Sequence, residues 1–495
     1  MSRISVFVTA MVLSVSVFPD AEAQTIQPLR TVVDVSVGES VQTSLCDGNT
    51  VKLTLLGIEE TRDVFRDAVR EARVKVRVDG NELSLVSATY NLPVTVGPVQ
   101  IDCPITKGYY SNTSADTWGL KKDARFRLWP AGSPLINPGT FMYPAGQRWF
   151  ASDTQMSNEP CFVDAGENPD TKKTYYHNGL DFGGAEGMVD VYAAAEGLVV
   201  SKAGAVLEEY KVDTPVSPRY DVIYVLDDRG WYYRYSHLKS FETNVIPGER
   251  VSVGQKLGEL GKEGDSGGWT HLHFDIFCRQ PSGAWGTEEA YAYVWEAYVN
   301  KFSPPVLAVA RPHHLAAVGE TVTLNGNKSR ALKGTIAAWE WCLSDGRTVT
   351  GPVQSITYNL PGVYSEILKV VTGSDDVDYD FTVVNVIDRN HPDQLPPTLH
   401  AVYSPTVGIQ AGDPVTFKVR AFRTGSGRET WDFGDGSPTV ISESLPPGDQ
   451  HDPHGYAVVV HRFTKAGYFI VRVERTGENG FKAVCHLDVR VEDKQ

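Results

Sequence analysis

Short runs in which apolar and polar residues alternate recur along most of the chain. Residues 33–37 (VDVSV) and 74–78 (VKVRV) alternate strictly, and the second run is followed by the turn sequence DGN at 79–81. A period of two is typical of a half-buried β-strand, and turns rich in Gly and Asn separate such strands. Residues 59–73 have a pattern that also allows a short helix. The hydrophobic pattern therefore predicts a mainly β protein.

A β-hairpin is predicted in the middle of the chain. The apolar run 222–226 is separated from the aromatic run 231–237 by Asp228, Arg229 and Gly230. Because successive side chains of a strand point to opposite faces, every second residue of the later run shares one face. These same-face residues are Trp231, Tyr233, Tyr235 and His237.

Proline-rich linkers and changes of pattern predict the domain organisation. The pairs Pro304-Pro305 and Pro396-Pro397 mark two of the linkers. The predicted segments are a signal peptide at 1–23, a β-rich accessory domain at 25–144, a central domain at 145–302, and two C-terminal domains at 303–390 and 396–493.

The N-terminus has the pattern of a cleaved export signal. Arg3 precedes an apolar run at 4–18, and residues 21–23 (AEA) fit a signal-peptidase site. We expect the mature chain to begin at Gln24 and to be secreted, periplasmic or held at the cell surface. No later segment is apolar enough to span a membrane, so no span is expected in the mature chain.

Composition narrows the function classes further. Lys and Arg number 46 against 61 Asp and Glu, a net charge of −15, which argues against a nucleic-acid partner. Six cysteines in an exported chain permit disulfides, and 15 pairings are possible. Cys46 with Cys103 and Cys161 with Cys278 are two such pairings, and the sequence does not choose among them.

Two short runs about 90 residues apart carry candidate metal ligands. In a strand, His271 and His273 project to the same face, while Leu272 points to the opposite side. His177 and Asp181 lie in a glycine-rich stretch that favours a turn over a helix. Two imidazoles and one carboxylate suit Zn²⁺ with an open coordination position, although this set also suits Fe(II). The second imidazole of the H-x-H pair is then available to act on bound water.

Residues 175–278 resemble the M23 family of zinc metallopeptidases, the lysostaphin-type cell-wall endopeptidases. The resemblance lies in HNGLDF at 177–182, YSHL at 235–238 and HLHF at 271–274, with glycine-rich runs between them. It implies that His177, Asp181 and His273 bind one Zn²⁺ per chain. It implies that His271 is the general base and that His237 stabilises the oxyanion or donates a proton to the leaving amine. Tyr235 and Trp269 are candidates for the walls of the substrate groove or for packing.

The two C-terminal domains resemble PKD domains, which are immunoglobulin-like β-sandwiches. Residues 431–436 (WDFGDG) match the family signature, whereas residues 340–344 depart from it before Asp345-Gly346. This resemblance implies spacing, surface attachment or contact with polysaccharide.

The expected fold class is therefore mainly β and multidomain. It combines an M23-type antiparallel peptidase core, a β-rich N-terminal domain and two immunoglobulin-like sandwiches. The expected function is hydrolysis of peptide cross-links in bacterial peptidoglycan by metal-activated water. The alternatives are a catalytically silent scaffold that binds cell wall, and a surface adhesin. The bond that is cleaved stays open, as does the role of the N-terminal domain.

Overall fold

The computed structural model describes residues 26–154, except 89, 112, 114 and 115, and residues 176–494, except 447. Within these residues the chain is built from mostly antiparallel strands, a single α-helix and two short 3-10 helices, which confirms the mainly β prediction. None of the described helices combines the length and the apolarity that crossing a membrane requires. The predicted signal peptide and Cys161 fall outside the described residues.

The N-terminal domain is a sandwich of two four-stranded sheets, in the orders β1-β8-β7-β6 and β2-β3-β4-β5. Its strands are β1 Thr31–Val35, β2 Ser40–Ser44, β3 Thr50–Arg62, β4 Val69–Val78, β5 Asn81–Val86, β6 Val94–Val96, β7 Val99–Thr106 and β8 Ala124–Pro130. The short helix allowed at 59–73 is wrong, because β3 and β4 continue their ladder there and Glu59 lies opposite Arg73. Cys46 and Cys103 are both free, one exposed and one buried.

The central domain has an eight-stranded and a three-stranded sheet. Its elements are β9 Leu180–Gly183, β10 Asp190–Tyr192, β11 Gly197–Lys202, β12 Ala205–Val206, β13 Ile223–Leu226, β14 Tyr232–Ser236, β15 Leu238–Phe241, β16 Arg250–Val251, β17 Lys256–Leu260, β18 His271–Arg279, β19 Trp285–Glu288 and α1 Tyr291–Phe302. The predicted hairpin is confirmed, since β13 and β14 pair from Ile223 opposite Tyr235 to Leu226 opposite Tyr232. In the larger sheet β18 lies between β14 and β19, and β9 also pairs with it.

Residues 306–387 form the first sandwich. Its strands are β20 Val306–Leu307, β21 His314–Ala317, β22 Thr321–Asn325, β23 Arg330–Ala331, β24 Ile336–Cys342, β25 Thr348–Thr350, β26 Val353–Thr357, β27 Gly362–Thr372 and β28 Val377–Ile387.

Residues 398–492 form the second sandwich. Its strands are β29 Thr398–Ser404, β30 Ile409–Gln410, β31 Val415–Phe422, β32 Glu429–Asp432, β33 Val440–Ser442, β34 Ala457–His461, β35 Gly467–Thr476 and β36 Lys482–Glu492. A short parallel pairing of β27 with β36 joins one sheet of each sandwich into a ten-stranded sheet. The sandwiches are therefore connected by backbone hydrogen bonds as well as by a linker.

Residues 145–154, which we call the strap, connect the central domain to the second sandwich. Ala145 forms a bridge with Val191 of the central domain, and Ser152 forms one with Leu487 of the second sandwich. The buried Arg148 guanidinium donates to the Asp488 carboxylate at 2.6 Å. A buried ion pair that crosses a domain boundary fixes both partners, because separating them leaves an unpaired buried charge.

A second buried charge cluster joins the N-terminal domain to the central domain. The Glu288 carboxylate accepts hydrogen bonds from Arg30 at 2.6 and 3.0 Å and from Arg127 at 3.1 Å. Burial alone raises the pKa of Glu288, but Arg30 and Arg127 lower it from 4.5 to about 2. A depressed carboxylate pKa stabilises the fold above the unfolded-state pKa, and this stabilisation is lost as the pH falls.

We predict that Glu288→Gln lowers the free energy of unfolding by about 3 kcal/mol at neutral pH, because it removes the carboxylate that pairs with the buried Arg30 guanidinium. The difference from the wild type should disappear as the pH falls from 4.5 to about 2, where the wild-type carboxylate becomes protonated. Denaturant unfolding at a series of pH values measures this. Glu82→Gln, at an exposed surface ion pair, is the control and should change little. Equal stability of wild type and Glu288→Gln at pH 7 would contradict the assignment.

Candidate metal centre and catalytic groups

The pairing of β9 with β18 builds the site. His273 lies opposite Asp181, and His271 lies opposite Gly183. Leu272 points into the core of the central domain, so its two histidine neighbours project together to the other face, as their spacing predicted. Gly179 has a positive φ of 81°, which gives the tight turn between His177 and the start of β9.

Three side chains converge on one point. His177 Nε2 lies 2.9 Å from His273 Nδ1 and 3.0 Å from Asp181 Oδ1, and His273 Nδ1 lies 2.9 Å from that same oxygen. These atoms form the one group of three or more potential metal ligands found among the described residues. Ligand atoms around a tetrahedral zinc are about 3.3 Å apart, given bond lengths of about 2.0 Å. The donor set and its spacing fit a small divalent cation.

Asp275 fixes the orientation of His273. Its Oδ2 lies 2.6 Å from His273 Nε2, and its Oδ1 accepts from the Asn178 amide at 2.9 Å. A carboxylate on the far nitrogen of a metal-binding histidine selects the tautomer and the ring orientation. The period of two in this strand places Asp275 on the face of His273, although the sequence analysis gave Asp275 no role.

His271 and His237 lie beside these ligands, with their ring centroids 4.6 Å apart. His271 Nδ1 lies 3.0 Å from the Trp269 carbonyl oxygen, and His237 Nδ1 lies 2.7 Å from the Glu263 carbonyl oxygen. A carbonyl oxygen only accepts, so both Nδ1 atoms carry protons. His271 Nε2 is then an acceptor, 3.7 Å from Asp181 Oδ2, which is the state required of a general base.

His237 is placed by a carboxylate that the sequence analysis did not identify. His237 has a positive φ of 67° directly after β14, and its backbone amide donates to Asp221 Oδ2 at 3.0 Å. The same oxygen lies 3.3 Å from His237 Nδ1, and Arg219 donates to Asp221 from the other side. An imidazolium at His237 therefore has a carboxylate partner behind it. Only the three-dimensional arrangement joins Asp221 to His237, because 16 positions separate them.

The electrostatics assign different roles to the histidines. Burial lowers the pKa of His271 well below 6.5, so this imidazole is neutral at neutral pH. Burial also lowers the pKa of His237, against the opposing effect of Asp221. For His273, burial acts in the same direction, but Asp275 and Asp181 raise the pKa to about 9. Burial raises the pKa of Asp181, whereas His177 and His271 hold it well below 3.8. The site thus contains an ionised carboxylate surrounded by imidazoles.

Tyr235 and Trp269, the two candidates for the groove wall, differ in their exposure to solvent. Tyr235 is fully buried in the core, and its hydroxyl accepts from the Ala194 amide at 2.7 Å, so it is a packing residue and does not line a groove. Alternation placed it correctly on one face with Tyr233, but it did not show that this face is covered. The Trp269 ring is partly exposed and stacks on His271 with ring centroids 3.8 Å apart. It stays a candidate for the groove wall.

Family models match three parts of the chain. The model for peptidase family M23 matches residues 175–282, and two models for PKD domains match residues 302–386 and 398–489. The chain carries an M23 peptidase domain followed by two PKD domains. The M23 match contains the three candidate ligands and both candidate catalytic histidines, and the PKD matches correspond to the two sandwiches.

Several solved structures are similar to parts of the chain. The antimicrobial peptidase lysostaphin from Staphylococcus simulans is 18% identical, with 48% of this chain and 91% of that chain covered and a TM-score of 0.22. The catalytic domain of the prophage-encoded M23 protein EnpA from Enterococcus faecalis is 18% identical, with 26% and 85% covered and a TM-score of 0.18. Csd3 from Helicobacter pylori is 13% identical, with 52% and 54% covered and a TM-score of 0.21. No curated protein matches the chain.

We predict that Asp275→Asn weakens metal binding about ten- to 100-fold, because an amide holds His273 Nε2 less strongly than a carboxylate does. Competition with a chelator of known affinity measures the change. Asp228→Asn, which alters a partly exposed ion pair with Arg250 away from the site, is the matched control and should bind metal like the wild type. Equal affinities for Asp275→Asn and the control would remove Asp275 from this role.

Proposed function

We propose that this protein is an exported zinc endopeptidase that hydrolyses the peptide cross-links of peptidoglycan. The single observation that carries the proposal is the convergence of the ligand atoms of His177, Asp181 and His273 within 3.0 Å of one another. The M23 domain supports peptide-bond hydrolysis as the reaction class. Export follows from the proposed substrate, which lies outside the cytoplasm.

Each side chain has a distinct task in the proposed reaction. When bound, zinc lowers the pKa of a water ligand towards about 7 and polarises the scissile carbonyl. His271 Nε2 accepts the proton of the attacking water, because its Nδ1 proton is already committed to the Trp269 carbonyl. His237 has Asp221 behind Nδ1, which supports its imidazolium form, and in that form it donates from Nε2 to the developing oxyanion or to the leaving amine.

The two sandwiches are proposed to place the peptidase domain on the cell wall. Support comes from the PKD matches, which are typical of modules that bind or space domains on secreted and surface proteins. Polysaccharide strands of the wall are the partner that this role requires. No nucleic acid is expected as a partner, in keeping with the net charge of −15.

We predict that the purified protein contains one zinc per chain and that His177→Ala loses it, because two ligands do not retain the ion against a chelator. Elemental analysis after dialysis against a weak chelator measures the metal content. His454→Ala changes an exposed histidine of the second sandwich and is the control. Full zinc content in His177→Ala would contradict the ligand set, and iron in place of zinc would redirect the proposal to a different chemistry.

We predict that His271→Ala keeps its zinc and loses about 100- to 10,000-fold in cleavage rate, because a general base is removed while the ligands stay. The assay incubates purified peptidoglycan with each variant and counts new amine termini, with mass spectrometry identifying the cleaved bond. Wild-type turnover by His271→Ala would exclude His271 as the base. Attachment of the wild type to peptidoglycan without new termini would favour a binding scaffold instead.

A further inference from the structure

The second sandwich packs against the loop that leads into the catalytic strand. Residues 261–270, which we call the β17–β18 loop, end directly before His271. Arg420 donates to the Gly268 carbonyl at 3.0 Å, and the Thr270 amide donates to the Tyr456 hydroxyl at 2.9 Å. A Cβ atom at Gly268 would lie 3.1 Å from the Cα atom of Gln450, so a side chain there would require one of the two segments to shift. The loop is thus held on both sides of Trp269.

The face of the second sandwich that makes these contacts is the one opposite its own core. His400 and Arg420 lie directly across from each other on β29 and β31, whereas Ala401 and Val419 on the alternate positions point into the sandwich core. An outer sheet face of an immunoglobulin-like module is ordinarily solvated. Here His400 and Arg420 are 5% and 1% exposed. The M23 domain covers them together with residues 449–456 of the second sandwich.

One peptide group connects Tyr456 to His271. The carbonyl of the Trp269–Thr270 peptide accepts the proton of His271 Nδ1, and the N–H of that same peptide donates to the Tyr456 hydroxyl. A peptide group is planar, so the direction of its N–H fixes the direction of its C=O. The Trp269 carbonyl holds the tautomer of His271. Its direction is therefore set by a hydrogen bond from the second sandwich.

His400 completes this connection. The Tyr456 oxygen accepts from Thr270, so its own proton is directed to His400 Nδ1, 2.8 Å away. Burial lowers the pKa of His400 to about 3 and raises that of Tyr456, so a neutral imidazole accepts from a protonated hydroxyl at any ordinary pH. The His400 ring also lies 5.1 Å from the Trp269 ring, which in turn stacks on His271.

We propose that Tyr456, supported by His400, is a positioning residue for the peptidase reaction, so that the second PKD domain completes the active site of the M23 domain. The inference rests on the proposed function, because it requires His271 to act as the base. Neither residue touches a candidate metal ligand. Their contribution is to hold the Trp269–Thr270 peptide so that His271 Nε2 faces the site.

The test compares Tyr456→Phe with the wild type in the full chain. The phenylalanine keeps the ring and removes the hydroxyl that accepts from the Thr270 amide. We expect kcat on purified peptidoglycan fragments to fall about tenfold or more, with KM within about twofold and zinc content unchanged, because an outer partner of a reacting group is lost. We expect the Thr270 amide to exchange faster with deuterium, since it has lost its acceptor.

Tyr403→Phe is the matched control. The Tyr403 hydroxyl also belongs to the second sandwich and bonds the Asp488 carbonyl and Arg148 of the strap, but it does not contact the β17–β18 loop. It should lose comparable thermal stability while keeping wild-type kcat and wild-type protection at Thr270. A fall in kcat of Tyr456→Phe no larger than that of Tyr403→Phe would overturn the inference, because the hydroxyl would then be merely structural.

Two further measurements keep the outcomes distinct. If Tyr456→Phe does not fold, His400→Phe, which removes the acceptor of the Tyr456 proton, should reduce kcat in the same direction, and wild-type kcat in that variant would also overturn the inference. If the wild type cleaves no peptide although Tyr456→Phe exposes the Thr270 amide, the proposed function fails while the hydrogen bond stands. If deuterium exchange of the Thr270 amide is unchanged in Tyr456→Phe, the hydrogen bond from Thr270 to Tyr456 is absent and the inference is overturned.

Discussion

The antiparallel pairing of β9 with β18 is the constraint on which the site depends. Its register sets Asp181 opposite His273, and it brings His177 across the turn at Gly179 to within hydrogen-bond distance of both. A slip of one residue would turn the histidines of the H-x-H pair into the core and Leu272 into the site. The buried Leu272 and Phe182 therefore stabilise the correct register, because the slip would remove both side chains from the apolar core.

Burial of so many polar groups in one place has an electrostatic consequence. Asp181 and Asp275 are both nearly inaccessible to solvent, and they flank His273 on its two nitrogens. Two carboxylates this close to each other need positive charge between or beside them. The protein alone provides it as a proton on His273, and a divalent ion bound by the three ligands provides it more strongly. This explains why the ligand atoms are held so close before any ion is considered.

The sequence predicted the parts of the site that depend on local periodicity. The period of two placed His271 and His273 on one face, and the glycines beside His177 indicated a turn. Alternation alone could not tell which face of a strand is covered by the rest of the domain. Tyr235 was a groove candidate, although it lies in the core. The pattern of residues 59–73 allowed a helix, yet these residues continue the β3–β4 ladder, with Glu59 opposite Arg73. Contacts between distant segments, such as His237 with Asp221, leave no pattern in a single sequence.

The sequence pattern did not predict that the second sandwich packs against the M23 domain. His400, Lys418 and Arg420 have the polarity of a solvated outer face, and sequence reasoning assigns such a face to solvent or to a wall ligand. In the folded chain this face contacts the M23 domain, with Lys418 donating to the Glu186 carbonyl and Ser404 to that of Met188.

A module that serves only as a flexible spacer needs a linker that few contacts cross. The strap, the buried Arg148–Asp488 pair and the parallel pairing of β27 with β36 oppose such freedom. Any ligand that the second sandwich binds must therefore use its other surfaces. Because the sandwich and the β17–β18 loop form one packed unit, a ligand on those surfaces would be coupled to the segment that leads into His271.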